Sequence, residues 1–210
     1  MREGIIERAH GRKITFCSPA HWVPQNKEET RFCLVTDLRK LNEAVIPDTS
    51  IFRTPARVMA QVKSSINWFV AVDLLSGYHQ VSIKEEDRQY FAFMIDEGNQ
   101  GGVFVYTVAP MGFCNSGHSF VNNLSLLLSD LDVLSEVDDL LMEGQTEDEV
   151  LHKFEELLVR CRKFNIKISR RKVQFGETVK FAGMTLGEKM VSNHFKKNAR
   201  PSLTWNPLLQ

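Results

Sequence analysis

The chain has only four cysteines, Cys17, Cys33, Cys114 and Cys161, with no C-x-x-C pair and no histidine at zinc-finger spacing. Neither a disulfide framework nor a zinc finger is indicated, and the four read as free thiols in a reducing compartment. Net charge is missing as well. Lys and Arg number 26 against 26 Asp and Glu, so no global field draws the chain to a polyanion, and any such site must be local. Long apolar runs are absent: the greasiest stretch, around Leu124 to Leu134, is broken by Ser and Asp, and the opening MREGIIERAHGRKITF has no signal-peptide core. The expectation is a soluble intracellular protein. There are no repeats or low-complexity tracts. What is present, 43% hydrophobic and 25% charged residues over 210 positions, suits one large domain or two small ones and excludes disorder, collagen and coiled coil.

Trp22-Val23 and Arg31 to Val35 flank the polar tip Gln25 to Glu29, the pattern of a hairpin. Thr54-Pro55 is a cap and N1 proline ahead of Val58, Met59 and Val62 at helical spacing. Asn67 to Val72 is a β-rich apolar run, predicted as a buried strand that delivers Asp73 at its C-terminal end. Phe91 to Ile95 and Val103 to Thr107 are predicted to pair through the turn Asp96 to Asn99. A helix starting near Asn115 or Ser116 carries Phe120, Val121, Leu124, Leu127, Leu128 and Leu131. Leu134 to Val137 and Leu140 to Met142 then read as strand arms with Asp138-Asp139 at their tip. Thr146-x-x-Glu149 is a capping box. It opens a helix whose stripe Val150, Leu151, Phe154, Leu157, Leu158, Cys161 and Phe164 is predicted core, with Asn165 ending it in the left-handed region. Val173 to Phe175 and Val179 to Leu186 are expected to form a hairpin through Gly176-Glu177-Thr178, and after Met190 no period is visible.

Two adjacent acids between apolar arms are costly without a counterion. A hard divalent cation is the natural one, because it takes carboxylate oxygens and keeps water and phosphates for its other positions. Asp73 offers a third acid of the same kind. An acidic surface turn is the plain alternative.

Around these acids lies an ordered set of motifs. Ser18-Pro19 through Val23-Pro24 is followed by Val35-Thr36-Asp37-Leu38-Arg39-x-Leu41-Asn42, then Asp73 with Gly77-Tyr78-x-Gln80. Pro110-x-Gly112-Phe113-x-Asn115, Val137-Asp138-Asp139, Lys172-Val173-Gln174-Phe175-Gly176 and Phe181-x-Gly183 come next. From about Phe16 to Ser192 this order resembles the fingers and palm of reverse transcriptases, RNA-directed DNA polymerases, most of all those of Gypsy-type LTR retrotransposons and retroviruses. The resemblance implies an α+β polymerase palm, an antiparallel sheet backed by helices, with a fingers subdomain. Thumb, connection and RNase H segments find no counterpart.

The division it implies is fingers and first strands over 1–67, a palm strand with the first catalytic acid over 68–80, and more fingers over 81–109. Palm over 110–175, a primer-grip-like hairpin over 176–192 and an irregular tail over 193–210 complete it.

By the same resemblance, Asp73, Asp138 and Asp139 hold two Mg²⁺ ions, with Mn²⁺ an alternative, about 3.5–4 Å apart. They carry in-line addition of a dNTP to a primer 3′-hydroxyl. These acids must then converge in the fold. Tyr78 resembles the aromatic gate against a 2′-hydroxyl, with a core tyrosine as the alternative. Met111 and Gly112 stand where the nucleotide packs, and Arg31, Lys27 and Lys172 are candidates for the triphosphate.

The implied partners are a primed RNA or DNA template, dNTPs and the rest of a pol polyprotein (thumb, RNase H, integrase), with no membrane. The implied location is a cytoplasmic retroelement particle or the nucleus. Glu136 replaces the family tyrosine beside the acids, and Gly117-His118 replaces Ala-Pro, making a softer loop with a titratable ring. With the balanced charge, these departures carry the alternative: an inactive or truncated remnant acting as a nucleic-acid or protein interaction module.

Overall fold

The computed structural model describes residues 4–26, 28, 30–48, 55–63, 66–96 and 101–187. In chain order these form β1 (Ile6–Arg8), β2 (Cys17–Pro24), β3 (Phe32–Thr36), α1 (Arg39–Glu43), α2 (Pro55–Met59), β4 (Trp68–Asp73), β5 (Ala92–Ile95) and β6 (Gly102–Tyr106). They continue as α3 (Ser116–Leu127), β7 (Leu134–Glu136), β8 (Asp139–Gly144), α4 (Glu147–Lys163), β9 (Gln174–Gly176), β10 (Val179–Phe181) and β11 (Met184–Leu186).

Strand β4 is apolar at every position before Asp73 because both of its faces are covered. Val70 and Val72 meet Phe120, Leu124 and Leu127 of α3 and Val150, Leu157 and Cys161 of α4. Phe69 and Ala71 point the other way, onto Val58 of α2 and onto Val179, Phe181 and Leu186 of β10 and β11. Alternation therefore puts Asp73 on the β10–β11 face, at the point where cover ends. The sheet order is β7-β8-β4-β9, antiparallel throughout. A second sheet, β1-β6-β5-β2-β3, is mixed, since β2 runs parallel to β5. Its core holds Phe93, Ile95, Phe104 and Tyr106 with Leu38 and Leu41, which flank and enter α1. This layout agrees with the expected α+β palm with fingers. Among the described residues no helix is long and apolar enough to cross a membrane.

The β2–β3 and β7–β8 hairpins and the β5–β6 pairing form as expected. The capping box forms too: the Glu149 N–H donates to Thr146 Oγ1 at 3.2 Å, and Glu149 Oε2 accepts from the Gln145 N–H at 2.9 Å. Acidic residues in the first turn of α4 and basic ones in its last complement the helix dipole.

Three expectations are corrected, and one helix was not foreseen. Residues 173–175 do not pair with 179–186; β9 joins the edge of β4, and β10 turns back on β11 through Ala182-Gly183, both left-handed. A free backbone edge on β4 attracts the nearer strand, and a two-residue turn with both φ values positive suits a tight hairpin. The α4 stripe is narrower than predicted, since Leu158 and Phe164 are exposed; a helix lying on a flat sheet covers only its lowest row. Helix α1 was not expected, being a single turn too short to show a period. Gly117 and His118 lie inside α3 rather than in a loop, and His118 is buried, its Nε2 3.0 Å from Asp48 Oδ2. Lys27, Thr54, the turn 97–99 and the tail 193–210 fall outside the described residues.

Candidate active site

Asp73 ends β4 and Asp139 begins β8, and the two are direct partners across the antiparallel pair. The turn Val137-Asp138 precedes Asp139, and the Leu74 N–H donates to the Asp138 carbonyl at 2.8 Å. The sheet thus brings all three acids to one end of its central pair. Val137 has φ +49°, a left-handed conformation that a β-branched residue adopts only when its surroundings dictate it.

The three carboxylates have different neighbours. Asp73 Oδ2 accepts from Lys172 Nζ at 2.8 Å, and Asp139 accepts from the Ala182 backbone N–H. Asp138 Oδ1 is buried against Gly77 with no hydrogen-bond partner. Burial pushes the Asp138 carboxyl above its ordinary value, and the Asp73 and Asp139 charges push it further. Asp139 is raised by burial and then by Asp73, and Glu136 by burial and then by Asp139. The bond to Asp73 raises Lys172.

Among the described residues no three such side chains already surround one point at metal-ligating distances. The donor chemistry nevertheless fits a hard divalent cation: clustered oxygens, mutual repulsion, and an interior oxygen lacking a partner. Beside Asp73 and Asp139 opens a cleft of about 310 Å³ whose basic lining is Arg171, Lys172 and Lys180.

Tyr78 lies in the 3-10 turn Gly77–Gln80, half-buried, its ring edge-on to Phe120 with centroids 5.9 Å apart. Gly77 is required there, because a Cβ would sit 2.1 Å from Asp138 Oδ1. Met111 is 64% exposed and Gly112 has φ +90°. Asn42 of α1 clamps this stretch, donating to the Gly112 carbonyl at 2.8 Å and accepting from the Cys114 N–H at 2.9 Å. Asn115 ties it to the segment before α2, accepting from the Asp48 N–H and donating to the Ile46 carbonyl. Lys172 therefore joins the acids, and Tyr78 sits on the turn that covers Asp138. Arg31 does not join them; it lies exposed just before β3 in the other sheet, its N–H held by Asn26 Oδ1. The clamping roles of Asn42 and Asn115 were not read from the sequence, although both stand inside quoted motifs. Side-chain amides bonding a distant backbone leave no periodic signal.

The reverse transcriptase (RNA-dependent DNA polymerase) family matches residues 23–186. The Transposon Tf2-3 polyprotein of Schizosaccharomyces pombe is 28% identical over 193 residues, 90% of this chain and 14% of the polyprotein. The Retrovirus-related Pol polyprotein from transposon gypsy of Drosophila melanogaster is 28% identical over 203 residues, covering 90% and 18%. The Gag-Pol polyprotein of Walleye dermal sarcoma virus is 27% identical over 178 residues, covering 82% and 10%. The chain thus spans less than a fifth of these relatives. The prototype foamy virus protease-reverse transcriptase shares the fold with a TM-score of 0.74 at 23% identity, over 89% of this chain and 24% of that one. A foamy viral protease-reverse transcriptase in complex with double-stranded DNA gives 0.76 at 20% identity, over 88% and 31%.

Proposed function

The chain belongs to the reverse transcriptase family, and from that membership and the clustered acids we propose that it adds deoxynucleotides to a primer 3′-hydroxyl on an RNA or DNA template. The observation that carries this reading is the meeting of Asp73 and Asp139 across β4 and β8 with Asp138 in the adjoining turn. Asp73, Asp138 and Asp139 are the residues that would hold divalent cations. Bound there, two Mg²⁺ or Mn²⁺ ions would neutralise the triphosphate and make the 3′-hydroxyl more acidic.

The remaining roles belong to the chain's own groups. Lys172 Nζ, paired with Asp73, holds a proton that can pass to the leaving pyrophosphate. Arg171 and Lys180 supply further positive charge in the same cleft. The Tyr78 ring excludes a 2′-hydroxyl, Met111 packs on the incoming nucleotide and Gly112 lets the backbone approach it. Arg31 reaches the triphosphate only if the β2–β3 hairpin closes over the cleft. The template partner and the location, a cytoplasmic particle or the nucleus, belong to the same proposal.

The test is single-nucleotide extension of primed RNA and DNA templates with Mg²⁺, parent against Asp138→Asn. A loss of at least about 10²-fold is expected, the scale of removing one preorganised electrostatic contact. Extension unaffected by the substitution refutes the assignment. A second reading, a noncatalytic remnant, is favoured by Glu136, a fourth carboxyl beside the three acids, which burial and then the Asp139 charge push above its ordinary value. A parent chain that extends no primer while Glu136→Tyr restores extension would single out that residue as the cause.

A further inference from the structure

Gln80 makes three contacts that join parts of the site far apart in sequence. Its Nε2 donates to the Leu75 carbonyl at 2.8 Å and to the Lys167 carbonyl at 3.0 Å, and its Oε1 accepts from the Lys167 N–H at 2.6 Å. The Leu75 N–H also donates to the Lys167 carbonyl at 2.9 Å, so the side chain extends a backbone pairing that begins at the Leu74–Ile168 bridge. On one side of this knot, Ser76 has φ +53° and ψ +52°. A non-glycine residue in that conformation needs its neighbours held. The turn Gly77–Gln80 with Tyr78 follows directly. On the other side, the Ser169 N–H donates to the Asp73 carbonyl at 2.8 Å, and Lys172 reaches Asp73 three residues later.

We propose that Gln80 is a positioning residue that locks the Tyr78 turn to the Lys167–Lys172 segment, so that sugar selection and the Lys172–Asp73 pair are set as one unit. The proposal rests on the polymerase reading for its consequence, but not for its geometry. Without the amide, the Leu75 carbonyl and the Lys167 N–H lose their side-chain partner, the left-handed Ser76 loses a flanking restraint, and the turn above Asp138 relaxes independently of Lys172.

Two near-isosteric variants separate this role from packing. Gln80→Met keeps the shape and removes every hydrogen bond, while Gln80→Glu keeps the acceptor and sets a carboxylate oxygen against two carbonyls. In the 210-residue chain, amide hydrogen exchange at Lys167 is expected to quicken about tenfold in Gln80→Met, the factor one lost hydrogen bond is worth, and to stay slower in Gln80→Glu, which keeps the acceptor, while Leu75 quickens in both as the carbonyls lose their donor. Amides around Leu157 in α4 should stay at the parent rate. In primer extension the KM for dNTP should rise about tenfold with a smaller change in kcat, and the rNTP-to-dNTP ratio should rise. Unchanged exchange in both variants, or exchange that quickens equally in α4, overturns the proposal, as does an unaltered rNTP-to-dNTP ratio in active variants. A parent chain that extends no primer refutes the polymerase reading instead, and the exchange pattern alone then decides whether Gln80 couples the two segments.

Discussion

Gly77→Ala tests whether the placement of Asp138 is what the site depends on. A Cβ at this position would lie 2.1 Å from Asp138 Oδ1, 2.9 Å from its Cγ and 3.1 Å from Phe120 Cζ. Ordinary contact needs well over 3 Å, so the carboxylate must move by about 1 Å, because the other close neighbour is a ring locked in the palm core. Overpacking of this size costs about 1–3 kcal/mol. No hydrogen bond is broken by the shift, since the displaced oxygen has no partner to lose. The stability change should therefore stay within that range, while a 1 Å displacement of a reacting group lowers turnover by about 10²-fold. Thermal unfolding and single-nucleotide extension, run on the same preparation, read the two effects separately. A folded Gly77→Ala protein with parental extension would refute the reasoning, because Asp138 would then be free to move without consequence.

Tyr78→Ala should raise ribonucleotide incorporation relative to deoxynucleotide and lose about 1 kcal/mol through its edge-on pair with Phe120; an unchanged ratio in an active mutant removes the gate role. Asp138→Asn should raise the melting temperature at pH 7 while abolishing extension. The folded carboxyl stands above its ordinary 3.8, so its favourable contribution is full below that value and fades as pH rises through the folded pKa. The gap between variant and parent should accordingly widen as pH rises from about 4 toward neutrality, and a gap independent of pH contradicts the repulsion. Thr146→Ala removes the α4 cap and should cost about 1 kcal/mol in denaturant unfolding with extension intact. Chelation of divalent ions should stop extension, with readdition restoring it; persistence in excess chelator excludes metal-dependent chemistry.

Elements defined by local signals were legible in the sequence. The capping box of α4, the left-handed Asn165, the apolar run of β4 and the arms of β7 and β8 each follow from a few neighbouring residues. So did the candidate acids, because Asp73 and Asp138-Asp139 interrupt runs that otherwise head into the core. Three hairpin pairings were legible too, but the partner of β9 was not. Whether β9 goes to β4 or to β10 is a contest between strand edges, and either choice satisfies the same period of two. Nor could sequence show which neighbours each acid acquires. Lys172 lies 99 positions from Asp73, Gly77 meets Asp138 only because a 3-10 turn folds over the β7–β8 hairpin, and Gln80 meets Lys167 across 87. Composition and periodicity report what a residue prefers around it. The closure of a sheet decides which distant group arrives, and here that determined whether an acid is paired with a cation, held by a backbone amide, or buried against a glycine.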